Sequence, residues 1–423
     1  MRPASVRICG DVSQPALLVC AAEISGDVRG ARLAIEIQRL APQVRLYGLG
    51  GARMRRAGVD VRMDITDRST VGWFDHWRDL PCYLAALRVW RREIRDGRPL
   101  AAIVIDAPGI SFPFARVARS AGVPVVYFVT PQTWLWNPRG AVERLRSHAD
   151  IVIPTLEAEA AIYERAGLPV IFEGHPALDD LIETYGAATR EELGGVQPPS
   201  QRCGTRSKSS RCFGGPRGAP PFRIALVPGS RRHAIRRLLP VMLDALDVVE
   251  RSIGVGQVLV SVAAPGLRPA VDACLRGRSR RVRVVQGDLW AVLAASDVVL
   301  ASTGSNLLDA IFADVPVVAS YRVDSLTSLV AKYGMRLQAR LPAYTLPNLI
   351  AGGPVVPELI QSDLTARRLA DAAVRLLTDE GARDAMRRGY ARVRDRLGRP
   401  GVNSRIAQEL AGRLGLVSTR KAD

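Results

Sequence analysis

The sequence predicts an α/β protein built from two doubly wound domains with helices at its C-terminal end, and three observations carry that expectation. Both halves open with the same local pattern of a short apolar strand, a polar glycine turn and an amphipathic helix. In the first half Leu17 to Ala22 lead into Glu23-Ile24-Ser25-Gly26-Asp27, followed by Gly30, Leu33, Ile37 and Leu40 at helical spacing. In the second half Arg223-Ile224-Ala225-Leu226-Val227 lead into Pro228-Gly229-Ser230-Arg231-Arg232, followed by Ile235, Leu238, Leu239, Met242 and Leu246. Short apolar runs then alternate with helical stretches throughout, as parallel sheets covered on both faces require. Finally, the composition changes abruptly between Gln197 and Pro221, a stretch rich in Pro, Gly, Ser and Arg that contains no acid.

The remaining elements follow in order. Val44 to Tyr47 end in Gly48-Leu49-Gly50-Gly51; Ala101 to Ile105 end on Asp106; Val123 to Val129 end on Thr130. Ile151 to Ile153 and Val170 to Phe172 complete the first set of strands, the latter reaching Glu173-Gly174-His175-Pro176. After Ile224 to Val227 the second set continues with Val258 to Val262, Val282 to Val285, Val298 to Ala301 and Val315 to Ala319, and from Thr365 onward only helices are expected. The expected division is residues 1–186 as the first domain, 187–221 as a flexible basic linker or insertion, and 222–423 as the second domain with the terminal helices. Deleting Gln201 to Gly218 should leave activity largely intact if that segment is only a tether. Doubly wound domains bind ligands outside the carboxyl ends of their strands, so the expected site is a central cleft faced by both domains.

Composition sets the bounds. A chain of 423 residues with 48% hydrophobic residues is long enough for two or three globular domains. Lys and Arg number 59 against 41 acids, a net charge of +18, which favours a polyanionic partner such as nucleic acid, anionic lipid or a phosphorylated substrate without choosing between them. The six cysteines (Cys9, Cys20, Cys82, Cys203, Cys212, Cys274) form no CxxC pair and no cysteine-histidine cluster, pointing to a reducing compartment and no structural metal. No apolar run has signal-peptide length or approaches the ~20 residues that span a bilayer. A soluble or peripheral protein on the cytosolic side is expected.

The residues that could carry chemistry cluster where strands end. The helix start behind Ser230 and Arg231 offers free N–H groups and a guanidinium, which binding a diphosphate requires; an ordinary crossover turn would look the same in isolation. Thr303-Gly304-Ser305-Asn306 opens a second such turn, and Asp309 in the helix behind it could accept both hydroxyls of a ribose or could simply be solvated. Asp106 fits a general base, a helix cap or a buried acceptor about equally. Glu23 shares that ambiguity, and Asp27 reads as the N-cap of the helix that follows it. His175 is one of four histidines, more in keeping with a hinge residue bonded to backbone than with a catalytic group. Trp134 and Trp136 fit an apolar wall for a lipid or sugar as well as they fit core packing. The stripe Tyr83, Leu84, Leu87, Trp90 and Ile94, flanked by Arg88, Arg91, Arg92 and Arg95, fits a core-facing helix or a membrane-surface helix. With no GxxxxGK[ST] and no full GxGxxG, neither a P-loop ATPase nor a standard dinucleotide enzyme fits.

Taken together, several stretches resemble the lipid-A-disaccharide synthases, glycosyltransferases of the GT-B type with two Rossmann-like domains. They are Ala22-Glu23-Ile24-Ser25-Gly26-Asp27, Gly48-Leu49-Gly50-Gly51-Ala52-Arg53-Met54, Ile105-Asp106-Ala107-Pro108, Gly174-His175-Pro176, Leu226-Val227-Pro228-Gly229-Ser230-Arg231, Tyr321-Arg322-Val323, Leu346-Pro347-Asn348-Leu349 and Val356-Pro357-Glu358-Leu359-Ile360-Gln361. They stand in family order from about Pro15 to Leu377, and the ordered set is specific. The resemblance implies an inverting transfer of 2,3-diacylglucosamine from its UDP-linked donor onto 2,3-diacylglucosamine 1-phosphate, giving lipid A disaccharide 1-phosphate and UDP. Asp106 then matches the family's proposed base, Ser230 and Arg231 the turn that stabilises the departing UDP, Asn348 a polar residue needed for activity, and Glu23 a loop carboxylate of the cleft. Thr303, Gly304, Ser305 and Asp309 fall on the UDP-sugar side, and Trp134, Trp136 and His175 on the acceptor or lipid side. No cofactor and no metal are implied.

The partners so implied are the two acylated sugars and an anionic membrane surface, with peripheral association at the inner membrane. Nucleic acid is not expected, and a homodimer is left open. This chain departs from the family at Gly109, where a second aspartate is usual, at Arg232-His233-Ala234-Ile235, where an acid commonly follows the turn, and at Asp309, where a glutamate is usual. It departs also at Asn137-Pro138-Arg139 and at Gly353-Pro354. These departures bear on donor affinity and acyl-chain selectivity. The alternatives they keep open are a divergent transferase or epimerase on another UDP-sugar and a non-catalytic nucleotide-sugar or polyanion-binding homologue.

Overall fold

A computed structural model describes residues 14–66, 76–132, 137–185, 222–278, 282–322 and 343–417. The expected linker 187–221, Trp134 and Trp136 therefore lie outside the described residues. The chain divides into two units, the first comprising Met1–Asp180 with Leu397–Asp423 and the second Leu181–Arg396.

The first unit holds the strands β1 (Ala16–Ala21), β2 (Arg45–Gly50), β3 (Asp60–Asp64), β4 (Ala101–Ile105), β5 (Val125–Phe128) and β6 (Ile151–Ile153). They form one sheet in the order β3-β2-β1-β4-β5-β6, and every pairing is parallel. The helices of this part are α1 (Ile24–Leu40), α2 (Ala52–Arg56), α3 (His76–Gly97), α4 (Pro108–Ser120), α5 (Pro138–His148), α6 (Glu157–Arg165) and α7 (Ala177–Tyr185), and the division between units falls within α7. Central strands β1 and β4 are buried at every position, which is why their sequences are continuous apolar runs. β3, Asp-Val-Arg-Met-Asp, alternates exposed and half-buried positions at the sheet edge and was not expected from its charged composition. Val170 to Phe172, expected as a strand, contributes only an isolated bridge from Val170 to Val152. The stripe on α3 faces inward at Trp90 and Ile94, while Tyr83 and Leu87 are half-buried and Leu84 is exposed; Trp90 is fully buried and its indole N–H donates to the Phe114 carbonyl at 3.0 Å, so core packing accounts for the tryptophan.

The second unit repeats the plan with β7 (Arg223–Val227), β8 (Gln257–Val262), β9 (Val282–Gln286), β10 (Val298–Ser302), β11 (Val317–Tyr321) and β12 (Glu358–Ile360). The order is β12-β11-β10-β7-β8-β9, again all parallel, so each sheet follows the same doubly wound 3-2-1-4-5-6 connectivity when its strands are counted from its own first. Its helices are α8 (Arg232–Ile253), α9 (Arg268–Leu275), α10 (Leu289–Ala294), α11 (Asn306–Phe312), α12 (Leu346–Ala351), α13 (Ala366–Thr378) and α14 (Glu380–Arg396). Helix α8 presents Ile235, Leu238, Leu239, Met242, Leu246 and Val249 to the core, the positions at helical spacing in the sequence.

The terminal helix α15 (Val402–Arg413) corrects the expected division, which placed all the terminal helices in the second domain. Asp179, in the first turn of α7, accepts from the backbone N–H groups of Gly401 (2.7 Å), Val402 (3.2 Å) and Asn403 (2.8 Å), capping α15 from a distant part of the chain. The His175 N–H donates to the Leu397 carbonyl at 2.8 Å, and Arg405 pairs with Glu173 at 2.9 Å. These contacts return the last segment to the first unit.

Candidate active site

In the first unit the carboxyl edge of the sheet is where α1, α4 and the loop after β5 begin. β1 and β4 are neighbours with Ala21 opposite Ile105, so Glu23 and Asp106 stand at the ends of adjacent strands. Both are half-buried. Asp106 continues the ladder by donating its N–H to the Phe128 carbonyl at 2.9 Å, and its own carbonyl accepts from the Tyr127 hydroxyl at 3.1 Å. Asp106 and Ala107 then both take left-handed conformations, with φ of 51° and 38°. Two consecutive non-glycine residues in that region cost about 1–3 kcal/mol each, a strain that surrounding structure must hold in place and that clusters at functional sites. Pro108 starts α4 immediately afterwards, so the turn aims the carboxylate off the strand end. Gly109, where a second acid is usual in the resembled family, faces open space, and a Cβ built there meets nothing within 4 Å.

Asp27 plays a different part from the one expected. It lies inside the first turn of α1, is buried, and accepts from Gly51 N (2.7 Å), Arg53 N (2.9 Å) and Met54 N (3.1 Å). It therefore caps α2 and fixes the Gly-Gly loop after β2 rather than capping its own helix, which starts behind Glu23.

His175 is buried, and its Nδ1 accepts the Ala177 N–H at 3.1 Å. Burial first, and the nearby Arg29 guanidinium second, push its pKa down to about 3, so it stays neutral. Its ring and its N–H thus both bond to backbone, at Ala177 and at Leu397. Sequence reading passed over Glu159 on α6, which is fully buried beneath this edge. Its carboxylate accepts from the Thr130 hydroxyl (2.6 Å), the Tyr163 hydroxyl (3.3 Å) and the Thr155 N–H (3.3 Å), tying the ends of β5 and β6 together. Burial pushes its carboxyl up to about 7 against the opposing pull of those donors. The signal that could have found it is the i,i+4 pair Glu159 and Tyr163 on the inward face of α6.

In the second unit β7 and β10 pair with Val227 opposite Ala301, so the turns Pro228-Gly229-Ser230-Arg231 and Ser302-Thr303-Gly304-Ser305 leave the sheet side by side. Gly229 has φ 105°, and a Cβ built on it would stand 2.8 Å from the Ser302 hydroxyl oxygen, so only glycine lets the two turns touch. Ser230, Gly304 and Ser305 are exposed, Arg231 is exposed at the N-cap of the 22-residue helix α8, and Thr303 is half-buried. This edge presents backbone N–H groups, hydroxyls and a guanidinium to solvent, a setting suited to a diphosphate.

Asp309 is half-buried, and its Oδ1 accepts from the Tyr185 hydroxyl at 2.7 Å, so it is not simply a solvated helix residue. Tyr185 was missed because its partner lies 124 residues away. Asn348 braces the loop before β12. Its Oδ1 accepts from Val355 N (2.7 Å) and Val356 N (2.9 Å), and its Nδ2 donates to the Val356 carbonyl (3.0 Å) and Glu358 (2.8 Å). Both lone pairs and both protons of the amide are thereby engaged. Among the described residues no group of three or more His, Cys, Asp or Glu is arranged to hold a metal ion.

Two parallel six-stranded sheets of Rossmann connectivity in one chain define the GT-B fold class. Solved structures agree at the level of fold: UDP-GlcNAc 2-epimerase from Neisseria meningitidis matches with a TM-score of 0.58 at 12% identity over 94% of this chain and 100% of its own. Acinetobacter baumannii MurG matches with a TM-score of 0.51 at 13% identity over 94% and 99%. The family model for lipid-A-disaccharide synthetase matches residues 17–210 and 220–409. Lipid-A-disaccharide synthases from Solibacter usitatus (34% identical over 93% of this chain and 96% of that protein) and Geobacter sulfurreducens (32%, 94% and 97%) are similar along nearly their whole length. The chain belongs to the lipid-A-disaccharide synthase family, a glycosyltransferase family of lipid A biosynthesis.

Proposed function

We propose that the chain joins UDP-2,3-diacylglucosamine to 2,3-diacylglucosamine 1-phosphate with inversion at the anomeric carbon. The acceptor's 6-hydroxyl oxygen forms the new bond to that carbon, the bond from the carbon to the UDP oxygen breaks on the opposite face, and the hydroxyl proton passes to Asp106. Arg231 and the N–H groups that open α8, with the Thr303-Gly304-Ser305 turn, stabilise the charge that develops on departing UDP. Asp309 accepts from the ribose, and Glu23 lines the acceptor side beside Asp106. The observation that carries the reading is the strained turn at Asp106 and Ala107, which holds an acid at the strand end where a structural cap would need no strain. The net charge of +18 suits work on acylated, phosphorylated sugars at an anionic membrane surface, with the protein peripheral on the cytosolic side. No helix among the described residues is long and apolar enough to cross a membrane.

The test is incubation of the purified chain in detergent micelles with both sugars, following UDP release and product mass together. A tetra-acyl disaccharide phosphate is expected. Asp106→Asn should lower kcat by about 10²–10⁴ with little change in either KM. An Asp106→Asn variant with full turnover would remove the base assignment.

A further inference from the structure

We infer that Tyr185 is a positioning residue of the donor site, its hydroxyl setting the Asp309 carboxylate to receive the ribose hydroxyls of a uridine nucleotide. The inference rests on the reading of Asp309 given above and deepens it. Asp309 lies four residues after Ser305, about 6 Å along the axis of α11. An aspartate has a short side chain with two rotatable bonds, so what its carboxylate faces depends on what holds it. Tyr185 contributes to the holding: it is 9% exposed, and its hydroxyl donates to Asp309 Oδ1 at 2.7 Å. The phenol ring is itself clamped, edge-on to Trp290 with centroids 4.9 Å apart at 63°, and 6.4 Å from Phe312. Burial, and then the Asp309 charge, raise the Tyr185 hydroxyl's pKa far above its ordinary value, so at neutral pH it is a proton donor only toward the carboxylate. A carboxylate offers about four lone-pair directions, of which the phenol takes one.

The arrangement draws on three separate elements. Tyr185 ends α7, Trp290 stands in α10 after the Asp288 cap, and Asp309 lies in α11. If the phenol served packing alone, its ring contacts with Trp290 and Phe312 would suffice and the hydroxyl would be dispensable. The hydroxyl's bond to a charged acceptor is what the test removes.

The experiment measures calorimetric binding of UDP and of 2′-deoxy-UDP to the full chain, to Tyr185→Phe, to Asp309→Asn and to the double variant. The unchanged chain should bind UDP about tenfold more tightly than the deoxy nucleotide, and Tyr185→Phe should reduce that preference to about twofold. Asp309→Asn should do the same, and the double variant should lose nothing further, since both changes remove one interaction. In turnover, Tyr185→Phe should raise the donor KM about fivefold with kcat unchanged. A Tyr185→Phe chain that keeps the full preference overturns the inference and leaves the donor reading standing. An unchanged chain that binds UDP and its deoxy analogue equally also overturns it. Failure of the unchanged chain to bind UDP overturns both.

Discussion

Replacing Glu159 by Gln should change how the stability of the first unit depends on pH. Burial raises the Glu159 carboxyl from 4.5 to about 7, so the folded chain holds this proton more tightly than the unfolded chain does. The stabilisation from that proton is fully present below pH 4.5, declines as pH rises between the two values, and is gone above about pH 7. At 1.36 kcal/mol for each pKa unit, the loss amounts to about 3 kcal/mol by pH 8. An amide of the same shape cannot ionise and escapes that loss, but it gives up one acceptor to the Thr155 N–H, costing about 1 kcal/mol at every pH. Glu159→Gln should therefore be about 1 kcal/mol less stable than the unchanged chain at pH 3.5, about equal to it near pH 5 and about 2 kcal/mol more stable at pH 8. Urea unfolding followed by tryptophan fluorescence at half-unit steps from pH 3.5 to 8 would show the two curves crossing. Parallel curves would mean that Glu159 does not carry a proton in the folded state, and the account of its burial would fall.

Two further substitutions separate bracing from substrate contact. Asp27→Ala removes the acceptor of three N–H groups at the start of α2 and should cost about 3 kcal/mol in urea unfolding; Asp27→Asn, which keeps one carbonyl oxygen, should recover part of that. Asn348→Ala should cost about 2–4 kcal/mol because four hydrogen bonds are lost together. The isosteric Asn348→Asp should be destabilised as well, since it places a second carboxylate against Glu358 and removes both donors; a variant of normal stability with lost donor binding would restore Asn348 as a ligand contact.

Most of the fold was legible in the chain because its cues are local. Continuous apolar runs mark β1, β4, β7 and β10 as strands buried on both faces, and glycine turns mark where each helix begins. The same locality hid β3, whose Asp, Arg and Met alternate at an edge, and promoted Val170 to Phe172, whose apolar run pairs only once. The strand-end rule put Asp106, Glu23, Ser230, Arg231 and the Thr303-Gly304-Ser305 turn at the carboxyl edges where they stand, since it depends only on where strands stop.

The sequence by itself thus determined two doubly wound sheets, the chemistry available at their carboxyl edges and, through its ordered motifs, the family. Tertiary structure alone decided which of those polar residues are committed elsewhere. Asp27 caps α2, 24 to 27 residues away, Asn348 braces the loop before β12, and Asp179 draws α15 into the first unit from more than 220 residues off. Tyr185 meets Asp309 across 124 residues. The physical reason is that a backbone N–H or a carboxylate must find a partner once buried, but nothing in its neighbours along the chain specifies which one. Periodicity and turn chemistry act over a few residues; satisfying a buried polar group is settled only when distant elements pack.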